Sequence, residues 1–306
     1  MKTGPLVLEI KGNSLDDGPG IRSVVFFKGC PLDCSWCHNP ESKNRSVEIS
    51  FDAGKCIGCD SCLTVCSPGA LSRKNKYFID RSRCTLCFVC VESCPSGALE
   101  RVGTAMPTVE IVNAVIKDKP FFDTSGGGVT LSGGEPTIDI DYTSRLLKDL
   151  KKNGIRVLIE TCGFFNFDRF STLIAPYIDM IYYDIKLIDD KDHQKFCGVS
   201  NELILSNFTR LYQKYLEGGI EILPRTPLIP GVTDTEKNIT AIADLYRAHG
   251  VTRAALLSYN PLWHEKNLKL GIGSLSGKKG KAAQWMPREK EEYCRSIYKK
   301  AGIEIV

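Results

Sequence analysis

The sequence predicts an α/β fold: an open, partial (β/α)6 barrel with a small cysteine-rich insert after its first strand. Three observations carry this. Strand-like and helix-like stretches alternate outside residues 45–105, which means βα units and a parallel sheet. Six such units are too few to close an eight-stranded barrel. And 11 of the 14 cysteines lie between Cys30 and Cys94, so one segment differs in kind from the rest.

The elements follow in order. RSVVFFKG, Arg22 to Gly29, is β-branched, aromatic and continuous, and it ends in glycine; it reads as a buried strand. Further strands are GVTLSG (Gly128 to Gly133), RVLIET (Arg156 to Thr161), MIYYDIK (Met180 to Lys186), IEILPRTPL (Ile220 to Leu228) and RAALLSY (Arg253 to Tyr259). Helical patterns lie between them, at Ile140 to Lys152, Phe167 to Ala175, Asn201 to Leu216 and Thr235 to His249. Asp234 or Thr235 would cap the last of these. A final helix runs from Pro287 to Lys300. Residues 1–44 and 106–306 would form the barrel, and residues 45–105 the insert.

The 306 residues, 42% hydrophobic, suffice for one large α/β domain or two smaller ones. A formal net charge of +4 is too small to argue for nucleic acid. No run of 18 apolar residues suggests a membrane span. MKTGPLVLEIKGN has too short an apolar core for a signal peptide, so a soluble, cytoplasmic chain is expected. In that compartment a cysteine-rich chain of this size points to metal or redox chemistry rather than disulfides. Cys197 and Cys294 read as buried core thiols. Cys162 reads as core or as a neighbour of a binding pocket.

CIGCDSCLTVCSPGAL (Cys56 to Leu71) and CTLCFVCVESCPSGAL (Cys84 to Leu99) repeat one pattern, C-x2-C-x2-C-x3-C followed by Gly-Ala-Leu. This is the bacterial ferredoxin run, in which the fourth cysteine ligates the other cluster. Cys56, Cys59, Cys62 and Cys94 would hold one 4Fe–4S cluster; Cys84, Cys87, Cys90 and Cys66 would hold the second. One copy departs from the pattern: Pro95 follows Cys94 directly, whereas Ser67 separates Cys66 from Pro68. C-x2-C pairs also serve zinc, but two complete quartets at the same spacing favour iron–sulfur clusters.

GCPLDCSWCHNP adds a third site, Cys30, Cys34 and Cys37, spaced C-x3-C-x2-C. Closed sites use four protein ligands, whereas catalytic metal sites keep a position open. In parallel α/β folds functional groups gather at the C-terminal ends of strands. Cys30, Gly134, Glu135, Glu160, Thr161, Asp184, Lys186, Arg225, Tyr259 and Asn260 all end or follow a predicted strand.

The motif C-x3-C-x2-C, with Trp36 before its last cysteine, resembles the signature of radical S-adenosylmethionine (SAM) enzymes. DGPGIRSVVFFKGCPLDCSWCHNPES, SGGEP, YYDIK and RTPLIPGVTD occur in the order found in the glycyl-radical enzyme activating enzymes. The resemblance implies a TIM-like partial barrel of the radical SAM type with a ferredoxin-like insert. It implies three 4Fe–4S clusters, two auxiliary and one completed by the amino and carboxylate groups of SAM. Reductive cleavage of SAM then gives a 5′-deoxyadenosyl radical, which takes a hydrogen atom from a backbone glycine of a partner glycyl-radical enzyme. A flavodoxin or ferredoxin would donate the electron, and the chain would be a monomer.

Residue roles are implied position by position. Gly133, Gly134 and Glu135 match the loop that receives the SAM amino group. Trp36, Cys37 and His38 would line the nucleoside. Asp184, Ile185 and Lys186 match a family segment at the SAM and monovalent-cation site. Side chains two apart on a strand share a face, so Asp184 and Lys186 can point together. Glu160 and Thr161 match the cation-site pair, with Glu where a well-known family member carries Asp. Arg225 would pair with anionic groups. Asn260 stands where a well-known family member carries His, which retains a ribose contact and removes proton transfer. Asp17 matches an acid that holds the incoming glycyl loop by its backbone.

Two other motifs fail. His264-Glu265 begins like H-E-x-x-H, but Leu268 stands where the second His would be. GIGSLSGKKGK, Gly271 to Lys281, has the wrong spacing for a phosphate loop and reads as a solvated basic loop. Two other functions compete: a radical SAM enzyme acting on a small molecule or peptide, and an electron carrier. DGPGIR argues against the first, and the open Cys30–Cys34–Cys37 site against the second.

Overall fold

The computed structural model describes residues 4–216, 218–273 and 284–306. Its main sheet is mixed and mostly parallel. β2 (Arg22–Lys28), β6 (Gly128–Gly133), β7 (Val157–Thr161), β8 (Met180–Asp184), β9 (Glu221–Pro227) and β10 (Arg253–Leu257) lie side by side in chain order, every neighbour parallel. β11 (Glu304–Ile305) adds in parallel beyond β10. At the other edge β1 (Leu6–Ser14) runs antiparallel to β2, and β5 (Thr104–Ala105) antiparallel to β1.

The six strands read from sequence are present, Gly128–Gly133 with the same bounds and the other five trimmed by one or two residues. The antiparallel β1 was missed. Its stretch LVLEIKGNS is half-buried and bulged twice, so its alternation is weak.

Helices return the chain between the parallel strands. α3 (Thr108–Val115), α4 (Lys119–Ser125), α5 (Ile140–Lys152) and α6 (Phe167–Leu173) come before β8. α7 (Asp190–Cys197), α8 (Glu202–Tyr215), α9 (Glu236–Ala248), α10 (Trp263–Lys269) and α11 (Arg288–Lys300) follow it. α5 shows why these segments are helical. Asp139 caps it by accepting from the Tyr142 N–H, and Leu146, Leu147 and Leu150 make a fully buried stripe. Each such leucine contributes about 2 kcal/mol of apolar burial. Thr235, not Asp234, caps α9 by accepting from the Asn238 N–H. The helix expected through Ala175 stops at Leu173 and tightens into a 3-10 turn over Ala175–Tyr177, where Pro176 removes a donor. The unforeseen α7 is polar, burying only His193 and Cys197, so it carries little periodic signal.

Period-two alternation divides the sheet. Val129, Leu131, Val157, Ile159, Ile181 and Tyr183 join the helix-packed core. Their neighbours Ser132, Glu160, Asp184 and Arg225 bond to one another on the opposite face. That polar face is where the candidate site lies.

The cysteine-rich segment sits between β2 and β6. β3 (Glu48–Phe51) and β4 (Leu99–Val102) pair antiparallel and form a separate two-stranded sheet. Ile49, Leu71, Phe78, Ile79, Cys90 and Leu99 form a hydrophobic cluster distinct from the main core, with Phe51 stacked on Phe78 at 4.1 Å. The sequence repeat is also a repeat of backbone. α1 (Ser61–Thr64) and α2 (Val89–Glu92) occupy equivalent places. Gly58 and Leu86, then Asp60 and Phe88, take left-handed conformations at matching positions, with φ of 76°, 56°, 59° and 63°. Glycine meets that demand freely in one copy, while Leu86 bears it in the other.

Most of the basic stretch Gly271 to Lys281 lies outside the described residues.

Candidate active site and cysteine clusters

β2 delivers the chain to Gly29 and Cys30 at its C-terminal end. The loop that follows is tied down on both sides. Gly29 and Cys30 N–H groups donate to Ser42 and Lys43 carbonyls at 2.6 and 3.1 Å. Asp33 and Ser35 N–H groups donate to the carbonyls of Cys197 and Phe196, at the end of α7, at 2.8 and 2.9 Å. Trp36 packs near Phe196, with ring centroids 6.3 Å apart. Cys34 is buried, and Cys30 and Cys37 are half-buried. Burial first, then the charge of Cys34, pushes the Cys37 thiol up to about 12. Thiolates here therefore need a nearby positive centre. A soft thiolate triad beside Lys186, whose charge acts on Cys30 and Cys34, fits an iron–sulfur cluster.

The SGGEP turn ends β6 beside this loop. Gly134 and Glu135 N–H groups donate to the Phe27 and Gly29 carbonyls, both at 2.8 Å. A Cβ on Gly133, whose φ is 102°, would fall 2.4 Å from the Phe27 nitrogen. One on Gly134 would fall 2.2 Å from the Gly29 carbonyl oxygen. The glycines are therefore demanded by the neighbouring strand end, whatever ligand lies above. Gly134→Ala should push the Gly29–Cys30 segment outward and destabilise the fold by about 1–3 kcal/mol. A lower melting temperature of the metal-free chain, with reduced iron uptake, would show it.

The Glu135 carboxylate is fully buried and spent inside the protein. It accepts from the Thr137 N–H and hydroxyl at 3.1 and 2.7 Å, the Thr161 hydroxyl at 3.0 Å and the Cys162 N–H at 2.8 Å. Glu135 thus locks the end of β6 to the end of β7, and it takes the Thr161 hydroxyl with it. For these two side chains the structure assigns an internal partner where the sequence suggested a ligand.

A charged row crosses the polar face. Arg225 donates to Glu160 at 2.6 Å and to Asp184 at 3.0 Å, while Ser132 donates to the other Glu160 oxygen at 2.6 Å. Lys186 donates to Asp184 at 3.0 Å, so this expected pair does meet. Burial opposes the Asp184 charge, but Arg225 and Lys186 outweigh it and hold the carboxyl below its ordinary value. Burial likewise opposes Lys186, and Asp184 together with the cysteine thiols outweighs it, raising the lysine. Ile185 is buried and its N–H donates to the Arg225 carbonyl at 2.8 Å. Both Glu160 oxygens are occupied by protein donors.

After β10, Asn260 accepts from the Leu262 N–H at 3.3 Å. Tyr259 faces His38 with ring centroids 5.7 Å apart. His38 Nε2 is buried and has no hydrogen-bond partner among the described residues. Burial, with the Lys266 charge, lowers its pKa, so it stays neutral. A buried polar nitrogen without a partner, on the loop carrying Cys37, suits a polar ligand bound there.

Asp17 stands elsewhere. It precedes β2, so it lies about 20 Å from Cys30 along that strand. Its carboxylate accepts from the Ser14 hydroxyl, and its carbonyl accepts from Thr130 at 2.7 Å. Arg22 braces this end, donating to Thr130 at 2.6 Å and to the Val129 carbonyl at 2.8 Å.

In the insert, Cys56, Cys59 and Cys94 are the thiols acting on Cys62, while Cys66, Cys84 and Cys87 act on Cys90. A hollow between Phe51 and Arg73 is lined by Cys56, Cys59, Cys62 and Cys94. Cys59 and Cys87 are exposed, and Cys90 is buried. All 14 cysteines are free thiols. Among the described residues no three His, Cys, Asp or Glu side chains converge on a single ion. Ligands of a cube stand at separate irons and need not do so.

Of two neighbours of the triad, sequence reasoning offered one as an alternative and missed the other. Cys162 bears on the ionisation of Cys30, and Cys197 on that of Cys34. Cys162 was read as core or pocket, and Cys197 as core only. Nothing in the local sequence of α7 marks its last residue as a neighbour of Cys34.

Residues 81–242 match the family model of the Radical SAM superfamily, residues 55–98 that of a 4Fe-4S dicluster domain, and residues 16–64 that of a 4Fe-4S single cluster domain. The chain is 41% identical over 271 residues to an isethionate sulfite-lyase activating enzyme of Nitratidesulfovibrio vulgaris, covering 87% of each chain. It is 40% identical over 270 residues to a trans-4-hydroxy-L-proline dehydratase activating enzyme of Clostridioides difficile, covering 87% of this chain and 88% of that one. Among solved structures, a radical SAM methyltransferase from Sphaerobacter thermophilus shares the fold, with a TM-score of 0.53 at 13% identity over 99% of this chain and 76% of that one.

Proposed function

Since the chain belongs to the glycyl-radical enzyme activating enzymes of the radical SAM superfamily, we propose how its own residues carry out that activation. The chain is an iron–sulfur and SAM enzyme that acts on a partner glycyl-radical enzyme. When bound, a cluster and SAM supply the one-electron cleavage whose deoxyadenosyl radical takes a hydrogen atom from the partner's glycine. Cys30, Cys34 and Cys37 would hold that cluster. The observation that carries this reading is the thiol triad at the end of β2, set against the charged row Glu160–Arg225–Asp184–Lys186.

Lys186 and Arg225 bring positive charge to the SAM carboxylate. The backbone carbonyls of the Gly133–Gly134 turn, held rigid by Glu135 and Thr161, take the amino group. Trp36, His38 and Asn260 line the nucleoside, with His38 Nε2 gaining the partner it lacks. A monovalent cation, where one binds, would sit beside Asp184, since Glu160 is saturated by Arg225 and Ser132. The glycyl loop enters near Asp17 and runs along the inner sheet face toward Cys30.

The inner face is that of a partial (β/α)6 barrel formed by residues 1–44 and 106–306. Residues 45–105 form the ferredoxin-like domain, which the separate core around Ile49 and Leu99 supports. Its two quartets, Cys56, Cys59, Cys62 and Cys94 and Cys84, Cys87, Cys90 and Cys66, would hold two auxiliary clusters, making three in all, and these would supply a relay for electrons from a flavodoxin or ferredoxin. The chain works as a monomer in the cytoplasm. The two relatives described above, near 40% identical, name different partners, so overall identity does not select this chain's own.

The test is direct. The reconstituted chain, SAM and a reductant are mixed anaerobically with a candidate glycyl-radical enzyme. A glycyl doublet in the electron paramagnetic resonance spectrum is expected with one candidate. Formation of 5′-deoxyadenosine without a doublet on any candidate would instead favour a small-molecule or peptide substrate.

A further inference from the structure

The short helix α10 touches both the loop that carries the cysteine triad and the cysteine-rich insert. Its start is pinned just after β10: the buried Trp263 donates from Nε1 to the Tyr259 hydroxyl at 2.8 Å. Lys266 donates to Asn39 Oδ1 at 2.9 Å and to Glu41 Oε1 at 2.7 Å, two and four residues after Cys37. Lys269, three residues on and so on the same helix face, pairs with Asp52 at 2.8 Å. The Leu270 carbonyl accepts from Arg81 at 3.0 Å. The insert ends of these ties are equivalent by the repeat, since Asp52 and Asp80 stand four residues before Cys56 and Cys84. Each aspartate turns the chain toward its cysteine by accepting from the N–H two residues on, Gly54 at 2.9 Å and Ser82 at 3.0 Å. The end of α10 thus holds the leading turn of both quartets, while Lys266 holds the triad loop. Lys28 closes the frame from β2: buried, it donates to the Glu41 carbonyl at 2.7 Å and to Glu48 of the insert at 2.5 Å.

We propose that α10 is a strut that fixes the insert against the triad loop, with Lys266, Lys269 and Arg81 as positioning residues for electron transfer from the insert to the radical site. The packing supports this. The apolar cluster of the insert is separate from the main core. A hollow lined by Asp52, Cys56, Tyr77, Leu268 and Lys269 lies between α10 and the insert. No continuous apolar core therefore sets their spacing, and directional charged contacts set it instead. Half-exposed ion pairs add little to overall stability, so the effect of these is geometric. One electron is transferred: the reduced flavodoxin or ferredoxin is oxidised, the radical site is reduced, and no bond forms or breaks in this step. The rate of such a transfer falls steeply as the two centres separate, which is why a fixed spacing matters.

The inference rests on the reading that the insert relays electrons, and the experiment separates the two. Cys59→Ala tests the reading: it should lower the 5′-deoxyadenosine formation supported by reduced flavodoxin. An unchanged rate would mean that the insert is no relay, whatever α10 does. The inference is tested on reconstituted protein carrying Lys269→Met and Arg81→Met together. Hydrogen exchange read by mass spectrometry should quicken at residues 52–56 and 80–84 by roughly threefold to tenfold, as two half-exposed charged contacts allow. Iron content and melting temperature should stay near wild type. The rate with reduced flavodoxin should fall severalfold, and the rate with dithionite, a small reductant that needs no relay, should hold. Lys266→Met should quicken exchange at residues 39–43 instead. Lys269→Arg keeps the ion pair and should match wild type in every readout. If the double variant does not accumulate, Lys269→Gln alone replaces it. Wild-type exchange in fully loaded variants would overturn the strut. Faster exchange with an unchanged flavodoxin-supported rate, or with an equal fall under dithionite, would overturn its part in electron transfer.

Discussion

Replacing Cys34 with alanine is expected to abolish 5′-deoxyadenosine formation. On the proposed reading of three clusters, the reconstituted protein should lose about four of about twelve irons, since only a cluster held by Cys30, Cys34 and Cys37 would lose a ligand. The other quartets lie in a segment with its own core around Ile49 and Leu99, and they should load as before. The metal-free fold should change little, because the change deletes one small sulfur from a buried position, a cost of about 1 kcal/mol. The same experiment on Cys59→Ala should leave the SAM-responsive signal in place. Normal 5′-deoxyadenosine yield from the Cys34 variant would sink the assignment of the radical site.

Arg225→Met should have the largest effect on stability. The guanidinium lies between Glu160 and Asp184, and its removal leaves two carboxylates on the polar face with only Ser132 and Lys186 as partners. Breaking a buried pair on one side costs about 3–5 kcal/mol. The lower figure applies here, because 21% of the Asp184 side chain still reaches solvent. The pH dependence has a definite sign. In the native protein the lowered Asp184 adds stability above its unfolded value of about 4, and this is lost as pH falls through its folded value. In the variant the same carboxyl, without the guanidinium, titrates higher. The stability gap should therefore be widest near neutrality and narrow on acidification. Urea denaturation of the metal-free chain at several pH values measures it; a gap that is constant with pH would mean that lost packing explains the loss.

The cysteine spacings were legible because cluster ligands are local. C-x2-C-x2-C directs successive sulfurs to one cube whatever surrounds it, and the repeat even carries its backbone torsions, with Gly58 and Leu86 at matching positions. The six parallel strands were legible for a similar reason. Residues such as Val129 and Leu131 are buried wherever βα units stack, so their pattern survives. β1 and α7 were not legible, because one is a half-exposed bulged strand and the other a polar helix with two buried residues.

By itself the sequence determined the class of chemistry, through cysteine spacing and the short motifs at strand ends. Only the tertiary structure decided how the polar residues divide their work. Glu135 and Thr161 face each other, Arg225 is shared by Glu160 and Asp184, and Cys162 and Cys197 bear on the ionisation of Cys30 and Cys34 from positions 132 and 163 residues away in the chain. The physical reason is that a thiolate or carboxylate buried in the fold must find its partner in space. Sheet register and helix docking set that partner, and neither is written in the residues on either side.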